Sequence, residues 1–256
     1  MPIMRIALVS DIHGNLAALE AVAADFKRRG VDAVVNLGDS LSGPLLPLET
    51  AQFLMAQDWT HLAGNHERQI LAVQAGADAA AGAIGQAHGA SDLYAHAQLT
   101  RRELDWIGTL RPALQFAPDV FLCHASPHSD VVALLQNAER AAAAQEIEAR
   151  LGPVDAALVA CGHSHVARSV RSARGQLIVN PGSVGQPAYR DTHPYPHAIE
   201  AGSPDARYAI AERRDGVWQA CLINVPYPHQ AMAALATARA RPDWAAALRS
   251  GYMNRE

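Results

Sequence analysis

Five times along this chain a short apolar run ends in a cluster of Asp, Asn, His and Gly. RIALVS (5–10) runs into Asp11-Ile12-His13-Gly14-Asn15, and DAVVNLGD (32–39) closes on Gly38-Asp39. WTHLAGN (59–65) ends at Asn65 and leads into His66. VFLCHA (120–125) contains His124, and AALVACG (156–162) runs into His163-Ser164-His165. An apolar run of this length closed by turn residues reads as a buried strand. Helical patterns follow the first three. In 15–30, Leu16, Leu19, Ala23 and Phe26 recur at helical spacing before a basic end and Gly30. Segment 47–57 has Pro47 in its first turn, and 66–76 is the third helix. The β-α-β-α-β-α order predicts an α/β sheet with covering helices. In such a sheet the loops beyond the carboxyl ends of the strands converge on one crevice. Residues spread from Asp11 to His165 can therefore meet there.

The remainder fits one domain over 1–256, with no internal repeat and no linker. The Ala- and Gly-rich stretch 76–98 reads as a lid-like insertion. A helix is expected over 99–110, with Thr100 and Glu103 spaced as a capping box. Further strands are expected at 167–172 and 176–180, and an Ala-rich helix near 137–151. Segment 207–225 reads as a hairpin turning at Asp215-Gly216, and two Ala-rich helices close the chain.

Each polar cluster alone has an ordinary explanation. Asp-x-His suits a helix cap, Gly-Asp a turn, and a single histidine a hydrogen-bonded core position. Taken together, two Asp, one Asn and several His at strand ends would bury many polar groups, each needing a partner. Metal ions supply such partners. Cys161 reads as the small apolar end of its strand, and Gly162 as the turn into the site.

With 21 basic and 25 acidic residues the net charge is −4, which argues against general nucleic-acid binding. No apolar run reaches the ~20 residues that span a bilayer, and the first residues lack the features of a signal peptide. Three widely spaced cysteines make no disulfide framework. A reduced, cytoplasmic protein without a membrane partner is expected.

The series Asp11-x-His13-Gly14-Asn15, Gly38-Asp39, Gly64-Asn65-His66-Glu67, His124 and Gly162-His163-Ser164-His165 resembles the calcineurin-like metallophosphoesterases. NPGSVGQP (180–187) and the C-terminal hairpin are similar to the small prokaryotic phosphodiesterase branch of that superfamily. The resemblance covers nearly the whole chain. It implies a four-layer α/β/β/α sandwich, with two sheets face to face and helices outside. It also implies two divalent metals: Asp11, His13 and His165 around the first, Asn65, His124 and His163 around the second, and Asp39 bridging both. His66 would sit beside the metals without binding them. Glu67 stands where Asp is commoner, Ala125 where Gly is frequent, and SLSGPLLP after Asp39 is one of several variants. None of these departures removes a ligand.

The implied reaction is hydrolysis of a phosphodiester or phosphomonoester. Two metals about 4 Å apart neutralise the phosphoryl oxygens and activate a shared water. Imidazole with carboxylate and amide oxygen suits Mn²⁺, Fe²⁺, Co²⁺, Ni²⁺ or Zn²⁺ and disfavours Ca²⁺; the resemblance favours Mn²⁺. His66 would be the general acid for the leaving group, or a hydrogen-bond donor to the phosphate without proton transfer. The substrate would be a small phosphorylated molecule, nucleotides included. Asn15 caps a helix or touches substrate. Arg190, in a Pro-rich loop over 188–197, grips a phosphate or forms an exposed salt bridge; SPHSD after His124 is a second candidate rim. The competing functions are a catalytically silent scaffold on this fold, as in one retromer coat subunit, and a metal hydrolase for another bond such as an amide.

Overall fold

A computed structural model describes residues 4–74, 89–192 and 195–254. In chain order the elements are β1 (Met4–Val9), α1 (Leu16–Arg29), β2 (Ala33–Asn36), α2 (Pro47–Met55), β3 (Thr60–His61), α3 (Asn65–Gln74), α4 (Ala90–Gln98), α5 (Arg101–Ile107), β4 (Ala113–Ala117), β5 (Val120–Cys123), β6 (Gln136–Asn137), β7 (Arg140–Ala141), α6 (Ala144–Leu151), β8 (Leu158–Ala160), β9 (Arg168–Arg171), β10 (Leu177–Asn180), β11 (Ala188–Asp191), β12 (His197–Glu200), β13 (Ala206–Arg214), β14 (Val217–Val225), α7 (His229–Ala238) and α8 (Pro242–Ser250).

The period of two along each strand sets the packing. The first sheet has the order β14-β13-β1-β2-β3, and the second β4-β5-β8-β10-β9. On β1, Ile6 and Leu8 share a core with Leu122 of β5, Leu158 of β8 and Val179 of β10. The alternate residues Ala7 and Val9 pack instead on Leu19, Val22 and Phe26 of α1. The second sheet repeats the rule, with Val159 and Ile178 packed on Ile147 and Leu151 of α6. The chain is thus an α/β protein in which one apolar layer lies between two sheets. Among the described residues no helix is long and apolar enough to cross a membrane.

Parallel pairing of β1 with β2 and of β2 with β3 brings their carboxyl ends together. β5, β8 and β10 are likewise parallel. The Asn15 side chain caps α1 by accepting from the Ala18 N–H, and the Thr100–Glu103 capping box is present. Asp215 (φ 51°) and Gly216 (φ 82°) turn the β13–β14 hairpin.

Several expectations need correction. The helix near 137–151 is shorter, Ala144–Leu151. Before it, Glu146 accepts from the Ala143 N–H, Asn137 and Arg140, which holds 136–141 as a hairpin. The run 188–197 is not a plain loop, because β11 pairs antiparallel with β12. β4 was not anticipated; it pairs antiparallel with β5. The insertion expected at 76–98 lies outside the described residues as far as 88, and 90–98 is helix α4.

Candidate metal centre

The loops after the parallel strands are stitched together by backbone bonds. Asp11 N–H donates to Gly38 C=O (3.0 Å), His13 N–H to Asp39 C=O (3.0 Å) and Gly14 N–H to Ser40 C=O (2.8 Å). Segment 183–185 closes the other side, with Val184 donating to Ser10 C=O (3.0 Å) and Gly185 to Asp11 C=O (3.0 Å). Asn180 Nδ2 donates to Gly162 C=O (2.7 Å), fixing the turn that presents His163 and His165. Glycine is needed at 64 and 162. A Cβ at Gly64 would overlap the Asp39 carboxylate, and one at Gly162 would overlap Ser10 Oγ.

Two groups of donors result. Asp11, His13 and His165 each offer a ligand atom within 4.8 Å of the others, and so do Asp39, His124 and His163. In the first, His13 Nε2 lies 3.2 Å from His165 Nε2. In the second, His124 Nε2 lies 3.2 Å from both Asp39 Oδ2 and Asn65 Oδ1. The structure thus brings together all seven residues expected as ligands.

Every one of the four imidazoles is held through one ring nitrogen by a backbone carbonyl. His13 Nδ1 meets Ser42 C=O (2.7 Å), His124 Nδ1 Leu37 C=O (2.9 Å), and His165 Nδ1 Gln186 C=O (2.9 Å). For His163 it is Nε2, against Val131 C=O (3.1 Å). A carbonyl only accepts, so each of these nitrogens carries the N–H when the ring is neutral, and the other carries a lone pair. Metal-binding histidines are oriented in this way.

The donors fit divalent cations. The lone pairs of His13 and His165 oppose each other unless a positive charge lies between them. Two nitrogens 3.2 Å apart subtend about 100° at a cation with ordinary metal–nitrogen bonds near 2.1 Å. Asp11 Oδ1 is buried and has no hydrogen-bond partner, a costly state that coordination would relieve. Burial, with His165 adding to it, pushes the His13 imidazole down to about 3. Burial and His124 push His163 down to about 4. Both rings are therefore neutral, as ligands must be. His124 goes the other way: burial lowers its proton affinity, but the Asp39 carboxylate outweighs this and raises it to about 10. A proton or a cation is required between that pair.

Glu67 is fully buried and orders the second loop. Its carboxylate accepts the N–H groups of Asp39 (2.9 Å), Ser40 (2.8 Å) and Gly64 (2.7 Å).

His66 stands at the opening, with its side chain 28% exposed. Its backbone N–H donates to Asp39 Oδ1 (3.0 Å) and its ring lies 5.4 Å from that of His13. Its Nδ1 is 2.7 Å from Oδ1 of Asp92, a carboxylate 2% exposed. Burial opposes the charged imidazole, but Asp39 and Asp92 prevail and raise it to about 9. Asp92 was missed by sequence reasoning. It lies 26 positions away on α4, and no local pattern marks it.

The two residues read as alternatives for touching substrate, Asn15 and Arg190, both hydrogen-bond within the protein. Asn15 is fully buried; besides capping α1, its Nδ2 donates to Gly185 C=O (3.0 Å) and Tyr227 Oη (2.9 Å). Arg190 is exposed and donates to the Asn254 carbonyl. In the SPHSD segment, Asp130 pairs with Arg68 (2.7 Å). Cys161 is buried, in the apolar cluster behind the second sheet.

A family model described as the calcineurin-like phosphoesterase superfamily domain matches residues 4–199. The fold is similar to that of a metallophosphoesterase from Sphaerobacter thermophilus, with TM-score 0.73, 24% identity, and coverage of 98% of this chain and 100% of that one. It is also similar to a hypothetical protein from Pyrococcus horikoshii OT3, with TM-score 0.71, 18% identity and the same coverage. An uncharacterized protein of Methanocaldococcus jannaschii is 38% identical over 66 residues, 26% of this chain and 27% of that protein.

Proposed function

The chain belongs to the calcineurin-like phosphoesterase superfamily, and on that premise we propose that it hydrolyses phosphate esters at a dinuclear metal centre. The observation that carries this reading is the set of four imidazoles, each tied by one nitrogen to a backbone carbonyl and grouped with Asp11 or Asp39. Asp11, His13 and His165 would hold one cation, and Asn65, His124 and His163 the other, with Asp39 shared. The donor set suits Mn²⁺, Fe²⁺, Co²⁺, Ni²⁺ or Zn²⁺, and the family resemblance, not the donor chemistry, favours Mn²⁺ among them. Bound cations would supply Lewis-acid neutralisation of the phosphoryl oxygens and a water nucleophile at neutral pH.

The protein's own groups do the rest. Asn65 contributes a neutral oxygen, which limits the negative charge an anionic ester meets. The backbone loops, braced by Glu67 and by segment 183–185, hold the donors in place. His66 is the general acid. With Nδ1 on the Asp92 carboxylate, Nε2 is the nitrogen left to deliver a proton to the departing oxygen.

The test is metal analysis of the purified protein, followed by a screen of p-nitrophenyl mono- and diesters, cyclic nucleotides and nucleotides after Mn²⁺ loading. About two equivalents of metal and turnover of at least one ester class are expected. A Mn²⁺-loaded protein inert towards all of them would refute the proposal.

A further inference from the structure

A cleft of about 520 Å³ opens beside His163, within the ~300–1,000 Å³ range of small-molecule sites. One wall is the β6–β7 hairpin with Val131 and Val132, and the other is the β11–β12 hairpin. Because His163 lines the cleft and belongs to the second donor group, the cleft borders the proposed metal centre. An ester whose phosphate sits on that centre can extend one arm into it.

The lining says what kind of arm fits. Tyr189, Tyr195 and His197 present aromatic surface from one hairpin. The Tyr189 ring packs edgewise on His165 (4.7 Å between centroids), so this hairpin reaches the metal side of the cleft. The Tyr195 ring is half exposed and lies 5.8 Å from His197 at 61°. His197 Nδ1 is bonded to Tyr195 C=O (2.8 Å), so in the neutral ring Nε2 is an acceptor. Val131 and Val132, both about half exposed, add apolar surface opposite. The charges in the cleft are engaged. Arg140 pairs with Glu146 (2.8 Å). Arg150 is held by the Ala133 and Gln136 carbonyls (2.7 and 3.2 Å) and by Asn137. With Asp191 at the edge, two arginines face two carboxylates. This is a poor receptor for a second phosphate or a cationic group, and a good one for a flat, neutral, hydrogen-bonding group.

We propose that this cleft holds the nucleoside arm of a nucleotide ester, with the base against Tyr195 and His197. The proposal rests on the phosphoesterase reading and narrows it to a substrate class.

Two diesters with the same reporter test it: thymidine 5′-(p-nitrophenyl phosphate) and methyl p-nitrophenyl phosphate. Base–aromatic stacking makes the thymidine ester better in kcat/KM by on the order of tenfold, mainly through KM. Tyr195→Ala brings the thymidine ester to within a few fold of the methyl ester and leaves the methyl ester unchanged. Tyr195→Phe keeps the preference. No preference in the wild type, or the same preference in Tyr195→Ala, overturns the proposal. Saturation-transfer NMR with thymidine 5′-monophosphate on metal-free protein gives an independent readout. Transfer to the base protons, lost in Tyr195→Ala, is expected; its absence in the wild type overturns the cleft assignment. Failure to hydrolyse either ester refutes the phosphoesterase reading, and the NMR result then still decides the cleft.

Discussion

Replacing Asp92 by Asn removes one charge and little volume from beneath His66. The bond from His66 Nδ1 to Asp92 Oδ1 is 2.7 Å long, and the carboxylate is 2% exposed. A hydrogen bond to a charged, buried partner is worth ~1.5–3 kcal/mol. If that contribution is expressed in the transition state, its loss lowers kcat by roughly 10- to 150-fold at 1.36 kcal/mol per decade. Asn can still accept from Nδ1 through its own carbonyl oxygen, so the loss for Asp92→Asn falls near the lower end of that range and the loss for Asp92→Ala near its upper end. The assay is a series of aryl phosphodiesters with leaving groups of graded basicity. A general acid matters most when the departing oxygen is basic. The variant should therefore lose little on the nitrophenyl ester and progressively more down the series, with KM and metal content unchanged. Asp92 also sits in the first turn of α4, where its charge contributes ~0.3–1 kcal/mol through the helix dipole. A small fall in Tm is thus expected and does not bear on the mechanism. Equal loss on all leaving groups, or loss of metal, would refute the assignment of Asp92 as the group that positions and charges His66.

Three other perturbations separate the parts. Gly162→Ala drives a methyl group into Ser10 Oγ and to 3.1 Å from Asp11 Oδ2; the expected result is metal content reduced by about one equivalent, measured by elemental analysis, and full content would count against the packing argument. Asp25 accepts from Tyr208 Oη (2.6 Å), Arg29 (2.6 Å) and Arg28 (2.7 Å); burial opposes its ionisation, but these partners hold its pKa below the ordinary carboxylate value. Its stabilisation is fully present above about pH 3.9 and is lost as pH falls through the depressed folded value. Asp25→Asn should lower Tm at neutral pH and flatten the acid limb of the stability curve; an unchanged acid limb would rule the linkage out. Glu67→Gln turns one acceptor oxygen into a donor facing backbone N–H groups. It should cost ~1–3 kcal/mol in chemical denaturation, and a neutral effect would show that the loop does not depend on the carboxylate.

Much of this was legible in the sequence because strand ends and period-two packing are local signals. The runs 5–10, 32–39, 120–125 and 156–162 are buried strands or their immediate continuations, and their closing polar residues meet because parallel strands end on one side. What was not legible depended on distant partners. Ala113–Ala117 reads ALQFA, with weak strand propensity, and is a strand because β5 offers it an edge. The Ala-rich run before 144 suggested helix, but Ala138 turns with φ 44° and Glu146 gathers Asn137, Arg140 and the Ala143 N–H. Asp92 became visible only once α4 was seen to pack beside α3.

The candidate ligands also share a backbone property that no residue pattern announces. Eight described non-glycine residues have positive φ, and five of them are Asp11, His13, Asp39, His163 and His165. The left-handed conformation costs ~1–2 kcal/mol for a residue with a side chain, less for Asp than for most. Five such residues in one crevice are held there by surrounding bonds, such as Asp11 to Gly38 and His13 to Asp39. Strain of this kind persists where neighbouring structure over-determines the backbone. Here the sharp turns let Asp11 and His13, or His163 and His165, project donors from positions two apart in the chain. For His163 and His165, separated by Ser164 alone, the result is membership of different donor groups. Gly162 and Gly185 then permit the close approach of Ser10 and Ile12 that the turns require. The glycines, the left-handed residues and the carbonyl-bound imidazoles are therefore one device, in which backbone geometry fixes the direction of the imidazole lone pairs.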